Sequence, residues 1–176
     1  MAPTDGHTRP PVGYSRGMAR SDEVSAGLIA FRRRRRAQVL LAHPGGPFWA
    51  KKDLGAWTIP KGLVGADGDL LRAAQREFRE ETGFIAQGPF VPLAPVTQRS
   101  GKTVHAFAFA GDFDLKHFTS NSFEMEWPPR SGQRKRFPEI DRVAWFGFEE
   151  AMQKIIAYQR PLLVELQEKL AGKFKE

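Results

Sequence analysis

Cysteine is absent from this chain. Disulfides, thiolate nucleophiles and cysteine-ligated zinc are therefore excluded, and a reducing cytoplasm is the expected compartment. Also missing is any apolar run near the ~18 residues that a membrane-spanning helix needs. Residues 1–22 lack an apolar signal core. Their three Pro, three Gly and scattered charge read as a flexible leader, with too little apolar surface to offset the entropy of ordering it. No internal repeat or second break in composition follows, so residues 23–176 are expected to form one domain. What is present is an ordinary globular balance: 176 residues, 41% hydrophobic and 27% charged, enough to bury a core. The formal charge of +7 suits acidic partners such as nucleic acid, anionic surfaces or phosphorylated small molecules.

Two apolar runs, 25–31 and 37–43, flank five consecutive arginines, Arg32 to Arg36. That setting favours a solvated connection between adjacent strands over a nucleic-acid patch or localisation signal. Residues 44–56 form a Pro/Gly-containing loop, and Trp57-Thr58-Ile59 is expected to be a short strand ending at Pro60. The strongest helix signal runs from Asp69 to Thr82, with Asp67 or Asp69 to cap its start and Gly83 to suit the left-handed position after its end. Strand-like runs follow at 84–96 and 103–113. In the second, Val104, Ala106, Ala108 and Ala110 share one face, while His105, Phe107 and Phe109 share the other. From Asp114 to Pro138 no periodicity is evident, which predicts a long functional or disordered loop. A strand near 142–148 and two helical runs complete the chain, with Ile155, Leu162, Leu166 and Leu170 as expected core.

Within the helix 69–82, residues three and four apart lie together, so Glu77, Glu80 and Glu81 project to one side. Arg72, Arg76 and Arg79 are expected roughly opposite, with Leu71, Ala74 and Phe78 as the apolar stripe. Three like charges repel, and oxygen donors in this number suit a hard cation such as Mg²⁺ or Mn²⁺. A solvated acidic face paired with nearby arginines remains the alternative on these three residues alone.

The surroundings extend the pattern. Gly62, then Arg76-Glu77-Phe78 and Glu80-Glu81-Thr82-Gly83-Phe84, preceded by Ile59-Pro60-Lys61, resembles the signature box of the Nudix hydrolases. One position departs: Gly68 stands where the box carries its first glutamate, with Asp67 and Asp69 on either side as potential substitutes. The departure bears on metal occupancy or rate rather than on reaction type. The resemblance implies a mixed α/β (α+β) fold, a mixed β-sheet sandwiched between helices, and divalent-metal-dependent hydrolysis of a nucleoside diphosphate linked to another moiety. It further implies that Glu77, Glu80 and Glu81 are metal ligands, one of them helping to deprotonate the attacking water. Arg76 would orient carboxylates, Gly62 would permit a tight turn, Gly83 would close the box and Lys61 would reach a phosphate.

Nudix enzymes commonly add a carboxylate from a late loop, and Glu139, six residues before Trp145, is the first candidate as ligand or general base. Glu124 and Glu126 compete with it. Arg130, Arg134, Lys135 and Arg136 form a cluster suited to a polyphosphate, with Arg130, Arg134 and Arg136 the candidate grips. Trp49, Trp127 and Phe123 are candidates for base stacking. The end of the chain is similar to the branch acting on dinucleoside polyphosphates. Sanitising of a modified nucleoside triphosphate, pyrophosphate removal from an RNA 5′ end, and a non-catalytic nucleotide-binding module stand as alternatives.

Overall fold

The computed structural model describes residues 23–172; the expected leader, 1–22, lies outside them. The β-branched and apolar run after Glu23 forms β1 (Val24–Arg33), and the matching run after the arginines forms β2 (Ala37–Pro44). They pair antiparallel only near the turn, Phe31 with Val39 to Arg33 with Ala37. Arg34 N–H donates to Arg36 O within the turn, and Arg32 and Arg34 both reach Asp112, at 3.0 and 2.6 Å. The arginine run is thus a solvated strand connection, as its flanks predicted.

Away from that turn β1 and β2 diverge, and the chain from Trp57 to Leu63 fills the wedge. Thr58 exchanges both backbone hydrogen bonds with Ala42, and Leu28 N–H donates to Pro60 O. Residues 57–59 make only isolated bridges. The strand proper falls later, at β3 (Lys61–Leu63), antiparallel to Ser25–Gly27 of β1. The next element, α1 (Leu70–Thr82), begins where the sequence predicts: the Asp69 side chain accepts from Arg72 N, and Gly83 ends it at φ 78° with its N–H on Arg79 O. Asp69→Ala is expected to cost about 1 kcal/mol, the usual worth of such a cap, read as a lower urea midpoint at unchanged slope.

The run 84–96 is mostly irregular, with short strands β4 (Val91–Pro92) and β5 (Val96–Thr97) along β6 (Thr103–Ala110). β6 lies parallel to β1, from Val24–Thr103 to Phe31–Ala110. Residues 114–138, expected as an irregular loop, instead carry a 3-10 turn at Leu115–His117 and an antiparallel hairpin of β7 (Ser122–Glu126) and β8 (Arg134–Pro138). The chain then rejoins the main sheet as β9 (Ile140–Gly147) against β2. The helices α2 (Phe148–Lys154) and α3 (Arg160–Gly172) end the described chain, joined by a 3-10 turn.

The main sheet, in the order β4-β6-β1-β2-β9, is buried on both faces, which is why its strands are apolar on both sides. On one face α1 packs Ala73, Ala74 and Phe78 against Leu28, Leu40, Phe109 and Ile140. On the other, Ile155, Leu162 and Leu166 of the C-terminal elements pack against Ile29, Leu41, Val104, Ala106 and Phe146. The alternation expected along β6 is the sheet's own division between these cores. The fold is a mixed sheet between helices. No helix among the described residues is long and apolar enough to cross a membrane.

Candidate active site

The wedge geometry places Lys61-Gly62 directly beneath α1. Glu77 and Glu81, one turn apart on the helix face that meets the sheet, are 2% and 1% exposed. Burying two carboxylates against an apolar core is costly unless each is held. One holding contact is local: Lys61 N–H donates to Glu81 Oε2 at 3.0 Å. A Cβ built at Gly62 would overlap the Glu77 carboxylate, so glycine lets the β3 backbone lie against that side chain. Glu80 is a third exposed.

Arg76 departs from expectation. Instead of lying opposite the glutamates it runs along them, Nη2 3.5 Å from Glu77 Oε1 and Nε 4.0 Å from Glu80 Oε1. Its Nη2 also donates to Leu63 O at 3.0 Å. The reason is helical: Arg76 and Glu80 are four apart and share a face. The Arg76 charge lies beside Glu77 and Glu80, while Arg79 stays exposed.

Burial drives the Glu81 carboxyl well above the ordinary carboxylate value. The Lys61 charge opposes that rise, and the negative charges of Glu77 and Glu139 add to it. The charge of Glu139 is thus felt at Glu81. The Glu139 backbone is tied on both sides, with its N–H on Asn121 O at 2.7 Å and its carbonyl accepting from Gly45 N at 2.9 Å. Asn121 N–H in turn donates to Glu80 O, so the root of the β7–β8 hairpin is stitched to the end of α1.

The rival carboxylates are engaged elsewhere. Glu124 lies between Arg134 and Arg136, at 3.8 and 3.6 Å, and Glu126 accepts from Gly132 N across the hairpin end. Arg134 and Arg136 are exposed on the β8 face that Glu124 partly neutralises, and Arg130 sits at the hairpin tip with φ 61°. Phe123 is buried against Gly46. Trp127 meets the exposed Phe48 edge-on at 5.4 Å, and Lys52 covers a face of Trp49 at 4.9 Å. Asp67 and Asp69 do not fill the place of the box's first glutamate: Asp67 accepts from Asp69 N, and Asp69 caps α1. Gly68 itself has φ +68° and open space around it, a conformation that disfavours a glutamate.

Among the described residues no three or more Asp, Glu or His side chains converge closely enough to hold a metal ion between them. The residues nevertheless fit a hard divalent cation. The donors are all carboxylate oxygens, and Glu81 Oε1 is fully buried with no hydrogen-bond partner, an arrangement that costs free energy until something binds it. Carboxylates at close range repel, and a cation offsets that repulsion in one coordination shell.

One residue escaped the sequence reading. His43, fully buried, closes β2 and contacts Asp141 and Lys52; its partner in β9 is too distant in sequence for spacing to reveal it.

A sheet between helices thus carries a loop–helix element whose buried carboxylates lie against the β3 backbone. The chain belongs to the Nudix family, whose NUDIX domain model matches residues 22–166, and it is accordingly a Nudix-type pyrophosphohydrolase. Among solved structures it is similar to an Ap4A hydrolase from C. elegans in a binary complex, at 21% identity and TM-score 0.58, covering 84% of this chain and 98% of that one. The NUDIX domain of Shewanella oneidensis NrtR, complexed with ADP ribose, aligns at 15% identity and TM-score 0.59, over 90% and 94%. The E. coli ORF135 protein aligns at 25% identity and TM-score 0.52, over 88% and 96%. A search of curated proteins finds no significant match.

Proposed function

We propose that this enzyme hydrolyses a nucleoside diphosphate linked to another moiety, with dinucleoside polyphosphates as the favoured substrates. The observation that carries the reading is the buried, unpartnered Glu81 Oε1, on a carboxyl that feels the charges of Glu77 and Glu139. Glu77, Glu80 and Glu81 would hold Mg²⁺ or Mn²⁺. Such a cation, when bound, neutralises phosphate charge and lowers the pKa of a bound water. Arg76 would keep Glu77 and Glu80 oriented through its contacts at 3.5 and 4.0 Å. Glu139 would accept the proton of the attacking water as its oxygen bonds to phosphorus and the P–O bond to the leaving phosphate breaks. Lys61, whose charge is felt at Glu81, would meet a substrate phosphate, and Arg130, Arg134 and Arg136 of the hairpin would supply further positive charge. A buried carboxylate pair held at this cost supports a catalyst over a non-catalytic binding module.

The choice among substrates draws on the likeness to the Ap4A hydrolase, supported by a structural neighbour that holds ADP ribose. Ap4A and ADP ribose both carry an adenosine diphosphate unit, which favours such substrates over a modified triphosphate or an RNA 5′ end. The test is turnover with Mg²⁺ on a panel of dinucleoside polyphosphates, ADP-ribose, modified triphosphates and 5′-triphosphorylated RNA, with products identified by mass spectrometry. Cleavage confined to the triphosphates or RNA would overturn the substrate reading. On the best substrate, Glu139→Gln is expected to lower kcat by roughly 10²–10⁴-fold, while Glu124→Gln stays within about twofold because its arginine pairs are exposed. Equal losses in the two variants would remove Glu139 from the proposed site.

A further inference from the structure

β9 does not pair regularly with β2. His43 pairs with Arg142, but the next pair is Pro44 with Ile140, so Asp141 is an extra residue, a bulge. Bulges re-aim the chain, and here the effect is visible in the packing. Ala144 and Phe146 face the core beneath α2 and α3, and strict alternation would place Ile140 with them. Ile140 packs instead on the α1 side, with Phe78 and Leu28. The bulge thus changes which face the chain addresses immediately before it, at the point where Glu139 stands.

His43 holds this irregularity. Its ring is fully buried, with the Trp57 ring edge-on at 5.1 Å. Nε2 donates to Lys52 O at 2.6 Å, because a carbonyl only accepts. Nδ1 meets Asp141 Oδ1 at 2.8 Å. One imidazole therefore ties the bulged residue of β9 to the loop 45–56, whose first residue, Gly45, already donates to Glu139 O. The two contacts and the Gly45 bond fix the Glu139 segment to that loop.

We infer that His43 is a positioning residue of the hydrolytic site, acting through the Asp141 bulge to set where Glu139 and the loop 45–52 stand. The inference rests on the proposed role of Glu139, so its test has one arm in turnover and one in the backbone. In His43→Leu, kcat on the best panel substrate is expected to fall tenfold to hundredfold with KM within threefold. By hydrogen exchange the Gly45 amide should open at least tenfold faster, while the Leu28 amide, bonded to Pro60 O, keeps its protection. His43→Gln, which can still donate to Lys52 O, is expected to recover part of both. The double variant His43→Leu/Asp141→Asn leaves no carboxylate unpaired and should behave like the single one, and it replaces that variant if the single one fails to fold. Wild-type kcat with wild-type Gly45 exchange would overturn the inference. So would uniform loss of protection at Gly45 and Leu28, which would make His43 a general stabiliser. If the native enzyme hydrolyses nothing on the panel, the functional reading fails and the exchange arm still decides whether His43 holds the bulge.

Discussion

Glu81→Gln is expected to lower kcat by about 10²–10⁴-fold, the range for loss of a group that handles the reacting proton or its metal, and yet to raise the melting temperature of the chelator-treated protein at neutral pH. Both effects follow from one feature. Burial raises the Glu81 carboxyl above its ordinary value of 4.5, Glu77 and Glu139 add to the rise, and Lys61 limits it. The folded state therefore binds this proton more tightly than the unfolded chain does. The contribution is fully favourable below the unfolded value and is lost as pH rises through the folded one. Glutamine is neutral throughout and can still accept from Lys61 N, so the variant escapes that loss. Its advantage in melting temperature should be near zero at pH 4 and appear above it. Thermal melts of both proteins in EDTA at pH 4 and pH 8, beside turnover with Mg²⁺, test this. A variant less stable than the parent at pH 8, or one with parental turnover, would sink the account.

The same carboxylates show what the sequence carried and where it stopped. The α1 boundaries were legible because their determinants are local: Asp69 caps within three residues, and Gly83 supplies its own left-handed turn. The two faces of β6 were legible because the sheet is buried on both sides and period two survives. The hairpin 122–138 was not, since its cross-strand partners, such as Glu124 with Arg136, are charged, and an apolar pattern cannot announce them. Its Phe123–Phe137 pair is the one apolar hint. Arg76 stands apart from Arg72 and Arg79, because its spacing of four from Glu80 places it beside the acids. The sequence does not separate Glu139 from Glu124; in three dimensions Glu124 lies against two arginines, while the charge of Glu139 is felt at Glu81. His43 and Asp141 stand 98 positions apart, and only the fold joins them.

Gly62→Ala is expected to weaken the fold by ~1–3 kcal/mol, the usual cost of forcing a methyl into a filled space, and to reduce kcat/KM by roughly 10²-fold, since a displacement of ~1 Å suffices for that loss. The new Cβ would overlap the Glu77 carboxylate, and neither side can easily retreat. Gly62 pairs with Ala26 in the sheet, so moving it away breaks the β3 ladder. Glu77 is carried on α1 beside Phe78, whose ring is locked edge-on against Phe109 at 5.4 Å, so moving the helix opens the core. The remaining escape is rotation of the Glu77 side chain out of the cluster, which removes the carboxylate from the place where the proposed chemistry needs it. Gly68→Ala is the matched control. That position has φ +68° but no atom within 4 Å of a new Cβ, so it carries backbone strain of ~1 kcal/mol and no crowding. Urea unfolding and kcat/KM for the two variants separate the causes: both should lose stability, but Gly62→Ala alone should lose most of its turnover. Equal turnover losses would mean that loop strain rather than the Glu77 carboxylate governs the site, and unchanged turnover in Gly62→Ala would show that hydrolysis does not depend on Glu77 standing where Gly62 lets it stand.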